Sequence, residues 1–493
     1  MDRDICEKLE SLLKSSQSLI LCETLEEERL RGLIRFAVSN LGLQFFEWSI
    51  VDGFKQNAKI QIDNTQDPVD CLKFIKSQTE PAVYFLKDFS IHLQNSSIVR
   101  LMREVVIGIT NPNSSIILCS PEISLSSELS HLGIPFELSL PSKSELKALL
   151  SSVIEALKAS QKIKVEISES EMESLISSLS GLTLRQARQI LTYAISTDRG
   201  LRAKEIDVVI QRKAELIQAS GLLELYPSLE EGLEIGGFAN LKDWLETAAV
   251  AFSEDARKLN IPAPKGILLV GIPGCGKSLC AKIIASRWRQ PLIRLDASRL
   301  FDKFVGETER NFRKATHMVD AMSPCVFWID EIEKIMGGNG EASNDGAGQR
   351  AFGLFLTWMQ EKRPGVFLVA TANDISRLPP ELLRKGRFDE IFFVDLPNLV
   401  ERAEIIKIQT QKHKLKPDIL NSEELAQLTD GFSGAEIEQF LTTSLLKCLR
   451  EKKPISIERL REDLVRFIPL SQSRAEEIQN MRKFAKSKFL SVS

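Results

Sequence analysis

Residues 266–278 read GILLVGIPGCGKS. The apolar run Ile267 to Val270 has the length and bulk of a buried strand, and the LCAKIIASRW that follows reads as a helix. Between them lies a loop of the form GxxxxGKS, in the strand–loop–helix setting that cradles a chain of phosphates. Within Gly271-Ile272-Pro273-Gly274-Cys275-Gly276 the glycines let the backbone wrap tightly and aim N–H groups at phosphate oxygens. The helix N-terminus adds a favourable field. Lys277 should then reach the β- and γ-phosphates, and the Ser278 hydroxyl should ligate magnesium.

Further along, CVFWIDEIEKI carries the apolar run Val326–Ile329 into Asp330 and Glu331. Adjacent carboxylates at a strand end repel each other and are costly there without work to do. Beside a phosphate loop, Asp330 suits the magnesium shell, and Glu331 suits orienting and deprotonating an attacking water. Two solvated acids after a core strand is the plainer alternative. A third run, GVFLVATAND at 365–374, brings Asn373 to its end, where an amide can hydrogen-bond the water or the γ-phosphate. The segment LPPELLRKGRFDE then supplies Arg384 and Arg387, suited to neutralising charge on a transferring phosphoryl group. Capping of a helix C-terminus through Gly386 is the structural alternative for these arginines. The joint reading is in-line attack of water on the γ-phosphate of ATP with Mg2+.

Such groups need a frame, and the apolar runs predict a parallel sheet flanked by helices. The 493 residues suffice for several cores, at 43% hydrophobic and 27% charged. Lys plus Arg (64) nearly balance Asp plus Glu (67), so no basic face is advertised and no nucleic-acid partner is expected. The eight cysteines include no CxxC pair, and His92, His131, His317 and His413 stand far apart, which excludes the common zinc spacings. The opening MDRDICEKLE lacks signal or transit character, and no run reaches the roughly 18 apolar residues of a membrane span.

The first half repeats the second at an offset of about 250 residues. SLILCETLEEERLRGLIRFAV reads as strand–loop–helix with Glu23 to Arg29 in place of the glycine loop, and EPAVYFLKDF puts Lys87 and Asp88 where Asp330 and Glu331 stand. SSIILCSP parallels GVFLVATAND, PFELSLPSKSEL parallels IFFVDLPNLVER, and SLSGLTLRQARQILTYAIS parallels LTDGFSGAEIEQFLTTSLL. Matches in the same order argue for internal duplication, against an unrelated α/β domain with coincidental periodicity. Glu26, Glu27 and Glu28 would repel phosphate and Lys87 cannot ligate magnesium, so this copy should not bind MgATP.

From about Leu233 to Ile468 the order and spacing resemble the AAA ATPases, in the branch of membrane-protein-extracting unfoldases and membrane-bound metalloproteases. The resemblance implies that Ile235-Gly236-Gly237 borders the adenine. It implies that Arg384 and Arg387 act in trans as arginine fingers in a ring, typically a hexamer. GFSGAEIEQFL resembles the lid helix, with Ala435 where other branches carry an arginine. Phe304-Val305-Gly306 resembles the loop that grips a threaded polypeptide in the central pore, against a plain core or interface aromatic, and the polar loop 337–350 fits a second pore loop or an ordinary surface loop. Ile272, Cys275, Lys385 and Glu390 depart from the usual residues, none of them at a catalytic group; oxidation of Cys275 would block the loop unless it is simply a tolerated small residue. No HExxH follows, so a protease arm is not expected. The degenerate first copy with its EEER stretch is similar to AAA proteins of cyanobacteria and red-lineage plastids, which implies a cyanobacterial cytoplasm or a plastid stroma.

The expected layout is a degenerate AAA-like α/β domain at 1–145, a helical lid-like subdomain at 146–215, a linker at 216–232, the AAA large α/β subdomain at 233–398, its helical lid at 399–470, and a C-terminal helix with a basic end at 471–493, either a ring-contacting tail or a frayed solvated helix. The expected function is an ATP-driven ring that remodels or activates a protein client. The alternative is a slow nucleotide-dependent switch or scaffold that recruits a partner through its first half.

Overall fold

The computed structural model describes the chain apart from residues 1–2, 58–59, 110–113, 161–163, 166, 199, 220, 227–234, 252–255, 257, 297–299, 301–306, 337–346, 385, 416–420, 466 and 487. The chain divides into two compact units, Met1–Val209 and Ile210–Ser493.

In the first unit the strands are β1 (Leu19–Glu23), β2 (Gln44–Ser49), β3 (Gly53–Gln56), β4 (Ile60–Ile62), β5 (Ala82–Lys87), β6 (Ser115–Ser120) and β7 (Gly133–Pro135). They form one sheet in the order β4-β3-β2-β5-β6-β1-β7, parallel from β2 to β7. The hairpin β2-β3-β4 extends it antiparallel. Strands β8 (Lys164–Val165) and β9 (Gly200–Leu201) pair apart from it, among helices Lys143–Ser160, Glu169–Leu179, Leu184–Asp198 and Ala203–Ala219. In the second unit β10 (Leu223–Tyr226), β11 (Gly266–Gly271), β12 (Leu292–Leu295), β13 (Cys325–Ile329), β14 (Val366–Ala372), β15 (Glu390–Val394) and β16 (Leu490–Ser491) run β10-β12-β13-β14-β11-β15-β16. All neighbours there are parallel except the antiparallel pair β10 and β12.

Strands such as GILLVG and VFLVATA are buried along their whole length because helices cover both faces of the sheet. One face packs Phe312, Phe327, Phe355 and Leu368, the other Ile284, Trp328, Phe367 and Phe392. The central strands of the two units follow one order, β2-β5-β6-β1-β7 against β12-β13-β14-β11-β15. A local detail agrees with that likeness. Asp88 and Glu331 both leave their strands in the left-handed region, at φ 52° and 51°. Helix starts match as well. Ser433 and Glu436 form a reciprocal cap on the helix Gly434–Glu451, and Thr183 and Gln186 do the same for Leu184–Asp198.

Two expectations need correction. Residues 216–226 are not linker, because Ile217 and Leu223 are core residues and β10 is a sheet strand. The tail is not frayed: the helix Ala475–Ala485 buries Ile478 and Ala485, and β16 joins the sheet beside β15.

In the first unit the EEER stretch closes on itself. Glu26 accepts from the backbone N–H of Leu184 at 2.6 Å and from Arg29 at 3.0 Å. Arg29 also donates to Glu145 at 2.8 Å and to the Ser139 carbonyl at 2.5 Å. All three side chains are buried. Glu26 is thus a partnered acid at a lid helix N-terminus rather than an open repelling anion, while Glu28 is exposed and pairs with Arg31. Lys87 bridges Glu47 at 2.5 Å and Glu27 at 3.0 Å. Burial works against its ammonium, but the two carboxylates prevail and hold its pKa above the ordinary lysine value.

Removing one member of a buried ion network strands its partners in low dielectric. Arg29→Met should therefore destabilise the first unit by about 3–5 kcal/mol. The triple change Glu26→Gln, Arg29→Met, Glu145→Gln should recover much of that loss. Urea unfolding followed by tryptophan fluorescence at Trp48, a buried residue of this unit, measures both.

Candidate active site

The phosphate loop hangs between β11 and the helix Lys277–Trp288. Gly271 has φ 148°, and a Cβ there would overlap the Val394 carbonyl oxygen of β15, so only glycine lets the loop leave the sheet here. Gly274 (φ 76°) and Gly276 (φ 89°) also hold left-handed backbone. Gly274 lies against the helix Gly434–Glu451, its carbonyl accepting from the Ala435 N–H at 2.9 Å.

Lys277 is buried, and its ammonium donates to the carbonyls of Gly271 and Ile272, each at 2.8 Å. Desolvation lowers its pKa to about 8. Cys275 is buried as well, and desolvation pushes its thiol up to about 12, which makes it unreactive and favours the tolerated-residue reading over an oxidation switch.

Ser278 donates to Asp330 Oδ1 at 3.0 Å. The Thr371 hydroxyl on β14 donates to the same oxygen at 2.6 Å and accepts from the Glu331 N–H at 3.0 Å. Asn373 donates from its amide to Glu331 Oε1 at 2.7 Å, and its own N–H is held by Glu333 at 2.8 Å. Burial raises the pKa of Glu333. Lys334 pairs with Glu331. The structure therefore brings together Lys277, Ser278, Asp330, Glu331 and Asn373 along one edge of the sheet. These residues line a cavity of about 740 Å3, of a size that takes a nucleotide.

Ile235 and Gly236 line the same cavity. A Cβ at Gly236 would press on the backbone of Ile405, and one at Gly237 would overlap the Glu401 carboxylate, so the glycines let the entry segment, Ile235 to Phe238, lie on the helix Leu399–Lys412. Gly237 N–H donates to Glu404 at 2.7 Å.

Arg384 and Arg387 are not brought to this cavity within the chain. Arg384 is exposed, and Arg387 is half-buried with a hydrogen bond to the Leu356 carbonyl at 2.8 Å. Phe304-Val305-Gly306, Lys385 and residues 337–346 lie outside the described residues.

For magnesium, the donor set fits: a hydroxyl and a carboxylate, both hard oxygens, converge beside the phosphate loop. Among the described residues no three His, Cys, Asp or Glu side chains gather as a metal cluster. The pair would thus hold an ion together with nucleotide phosphates, as Mg2+ prefers.

Sequence reasoning missed several lining residues. Thr371 sits inside the quoted ATAN run, but nothing in its type marks it as the tie between β13 and β14. Gln409 lines the cavity, and its buried Oε1 accepts no hydrogen bond among the described residues. Ser491, Val492 and Ser493 line it too, although they lie far along the chain from every motif.

Comparison with known proteins agrees with this geometry. Residues 267–396 match the model of the ATPase family associated with various cellular activities (AAA), and 420–462 match the AAA+ lid domain. Residues 5–138 and 144–220 match the N-terminal and second domains of SpoVK-like AAA ATPases. A protein of Pyropia yezoensis named uncharacterized AAA domain-containing protein ycf46 is 36% identical over 97% of this chain and 96% of its own length. The chain belongs to the AAA ATPase family. Its ycf46 relative from Guillardia theta is 34% identical over 96% of the chain and 93% of that protein. The likeness to the proteasome-activating nucleotidase of Archaeoglobus fulgidus, 36% identical, is confined to 40% of the chain and 50% of that protein. The AAA module is thus joined to a SpoVK-like first half along nearly the whole length of its ycf46 relatives.

The Thr371 tie is open to test. Thr371→Val keeps the shape but leaves the Glu331 N–H without its acceptor and Asp330 with Ser278 but without the shorter of its two hydroxyl donors. It should destabilise the second unit by about 1–3 kcal/mol. It should also lower steady-state ATP hydrolysis about tenfold or more, with nucleotide affinity changed much less. Calorimetry and a phosphate-release assay read the two effects.

Proposed function

We propose that the AAA module hydrolyses ATP with Mg2+, and that it does so as part of a ring that remodels or activates a protein client. The observation that carries the reading is the divergence of two neighbouring carboxylates. Asp330 turns to Ser278, and Glu331 turns to Asn373.

In this reading the loop N–H groups and Lys277 hold the β- and γ-phosphates, Lys277 exchanging its two carbonyl partners for phosphate oxygens. Ser278 and Asp330 would hold the ion, which would offset phosphate charge. Glu331, oriented by Asn373, accepts the proton of the attacking water as its oxygen bonds to the γ-phosphorus in line with the departing ADP oxygen. The base lies against Ile235, Gly236 and Ile405, and the Gln409 acceptor suits the exocyclic amine of adenine. Arg384, exposed, and Arg387 complete a neighbouring subunit's site, which accounts for their absence from the lining of their own chain's cavity. The place of action in this reading is a plastid stroma, or alternatively a cyanobacterial cytoplasm; the ycf46 relatives support a plastid origin.

Steady-state hydrolysis measured against protein concentration tests the shared site. Specific activity should rise with concentration. Arg384→Ala and Arg387→Ala should each lower it by 10-fold or more while leaving nucleotide binding intact. Glu331→Gln should bind ATP and lose hydrolysis by 100-fold or more. Activity independent of concentration and of both arginines would refute the ring reading. For the client, Phe304→Ala should abolish turnover in cells without affecting ATP binding; full activity of that variant would exclude threading through a pore.

A further inference from the structure

The strand β16 and the two residues after it occupy a particular place. Leu490 and Ser491 pair with Phe392 and Phe393 of β15, and the Val492 N–H donates to the Phe393 carbonyl at 3.2 Å. Val492 itself is buried, packed with Phe238, Leu241, Ile272 and Cys275. Its carbonyl accepts from the N–H groups of Asn240 and Leu241 at 3.1 and 3.3 Å. Those are early N–H groups of the helix Ala239–Val250, whose N-cap, Phe238, has left-handed backbone (φ 61°) and gives no side-chain cap. A helix start needs acceptors for its unpaired N–H groups, and the tail provides one. The Asn240 amide donates to the Ser491 carbonyl at 3.2 Å, which fastens the tail to the same helix.

Beyond that point the tail crosses to the lid. The Ser493 hydroxyl donates to Glu401 on the helix Leu399–Lys412, against which Gly237 is packed. Arg482, on the helix leading into the tail, grips Asp395 through both carboxylate oxygens at 2.9 and 2.8 Å. Four residues therefore touch the sheet, the entry segment and the lid helix, and three of them line the nucleotide cavity next to Ile235 and Gly236.

We propose that residues 491–493, anchored by β16, form the base-side wall of the nucleotide site, and that tail docking and nucleotide occupancy stabilise each other. The inference rests on the nucleotide-binding reading above. With the tail released, the Ala239–Val250 helix loses its carbonyl cap, the entry segment loses its backing, and the lid loses one attachment. Nucleotide should then bind more weakly. Linkage makes the effect reciprocal: a bound nucleotide keeps the tail docked by the same factor. Any ligand that captured the tail would therefore weaken nucleotide binding by the same factor.

The test uses the full chain and a fluorescent ADP analogue as probe. Deletion of residues 490–493 and Val492→Asp should each raise the Kd at least tenfold, and Ser493→Ala, which frees only the lid attachment, should raise it less. A second measurement survives misfolding of those variants. In Val492→Cys the thiol is shielded while the tail is docked, and the eight native cysteines are buried and provide a low background. Its labelling by a maleimide should slow at least tenfold with saturating ADP, and the slowing should vanish when Lys277→Ala is added. Unchanged Kd in the tail variants, together with labelling indifferent to ADP, would overturn the inference while leaving the nucleotide site standing. A native chain that does not bind the probe overturns the nucleotide reading and this inference together.

Discussion

Two carboxylates adjacent in sequence normally face the same solvent, and Asp330 and Glu331 escape that fate through one hydroxyl. Thr371 gives its proton to Asp330 and its lone pair to the Glu331 N–H, which ties β13 to β14 at the point where the backbone enters the left-handed region. Such a conformation at a non-glycine residue costs about 1–3 kcal/mol. The tie offsets it, and the turn sends the two side chains toward different partners. Ser278, Asn373, Glu333 and Lys334 are arranged around that divergence.

The first unit shows what the same backbone does when the charges are exchanged. Its sheet has the same central strand order, and Asp88 makes the same left-handed exit from its strand. Yet Lys87 stands where Asp330 does, and it is taken up by Glu47 and Glu27. The lid helix that in the second unit meets the Gly274 carbonyl through Ala435 here meets the Glu26 carboxylate through Leu184. Internal ion pairs occupy the positions that in the second unit face a cavity. The kink is thus a property of the shared fold, and the chemistry is a property of the side chains placed on it.

How much of this could be read from sequence follows from the range of each signal. The glycine loop, the Asp-Glu pair and Asn373 were legible because each ends an uninterrupted apolar run, and a buried strand delivers its next residues to a known edge. The duplicated frame was legible through the order of such runs. Thr371 was hidden because a threonine in a strand is commonplace, and its role lies in a hydrogen bond to a residue 41 positions away. Strand β10 was mistaken for linker because LELY is short and sits at a sheet edge. The tail was less legible still. Two residues of strand carry no period, and its partners, Phe393 and Asn240, are remote in sequence. Arg384 and Arg387 were legible only as types, since neither lines the cavity of its own chain.

The Lys277 ammonium, held by the carbonyls of Gly271 and Ile272, has a kinetic consequence. A loop whose lysine is already anchored and whose glycines already hold their unusual backbone angles has little left to order when a phosphate chain arrives. Arrival becomes a substitution of hydrogen-bond partners, with little of the entropic penalty that slows binding to a floppy loop. The phosphate end of the site should then load without a slow ordering step of its own.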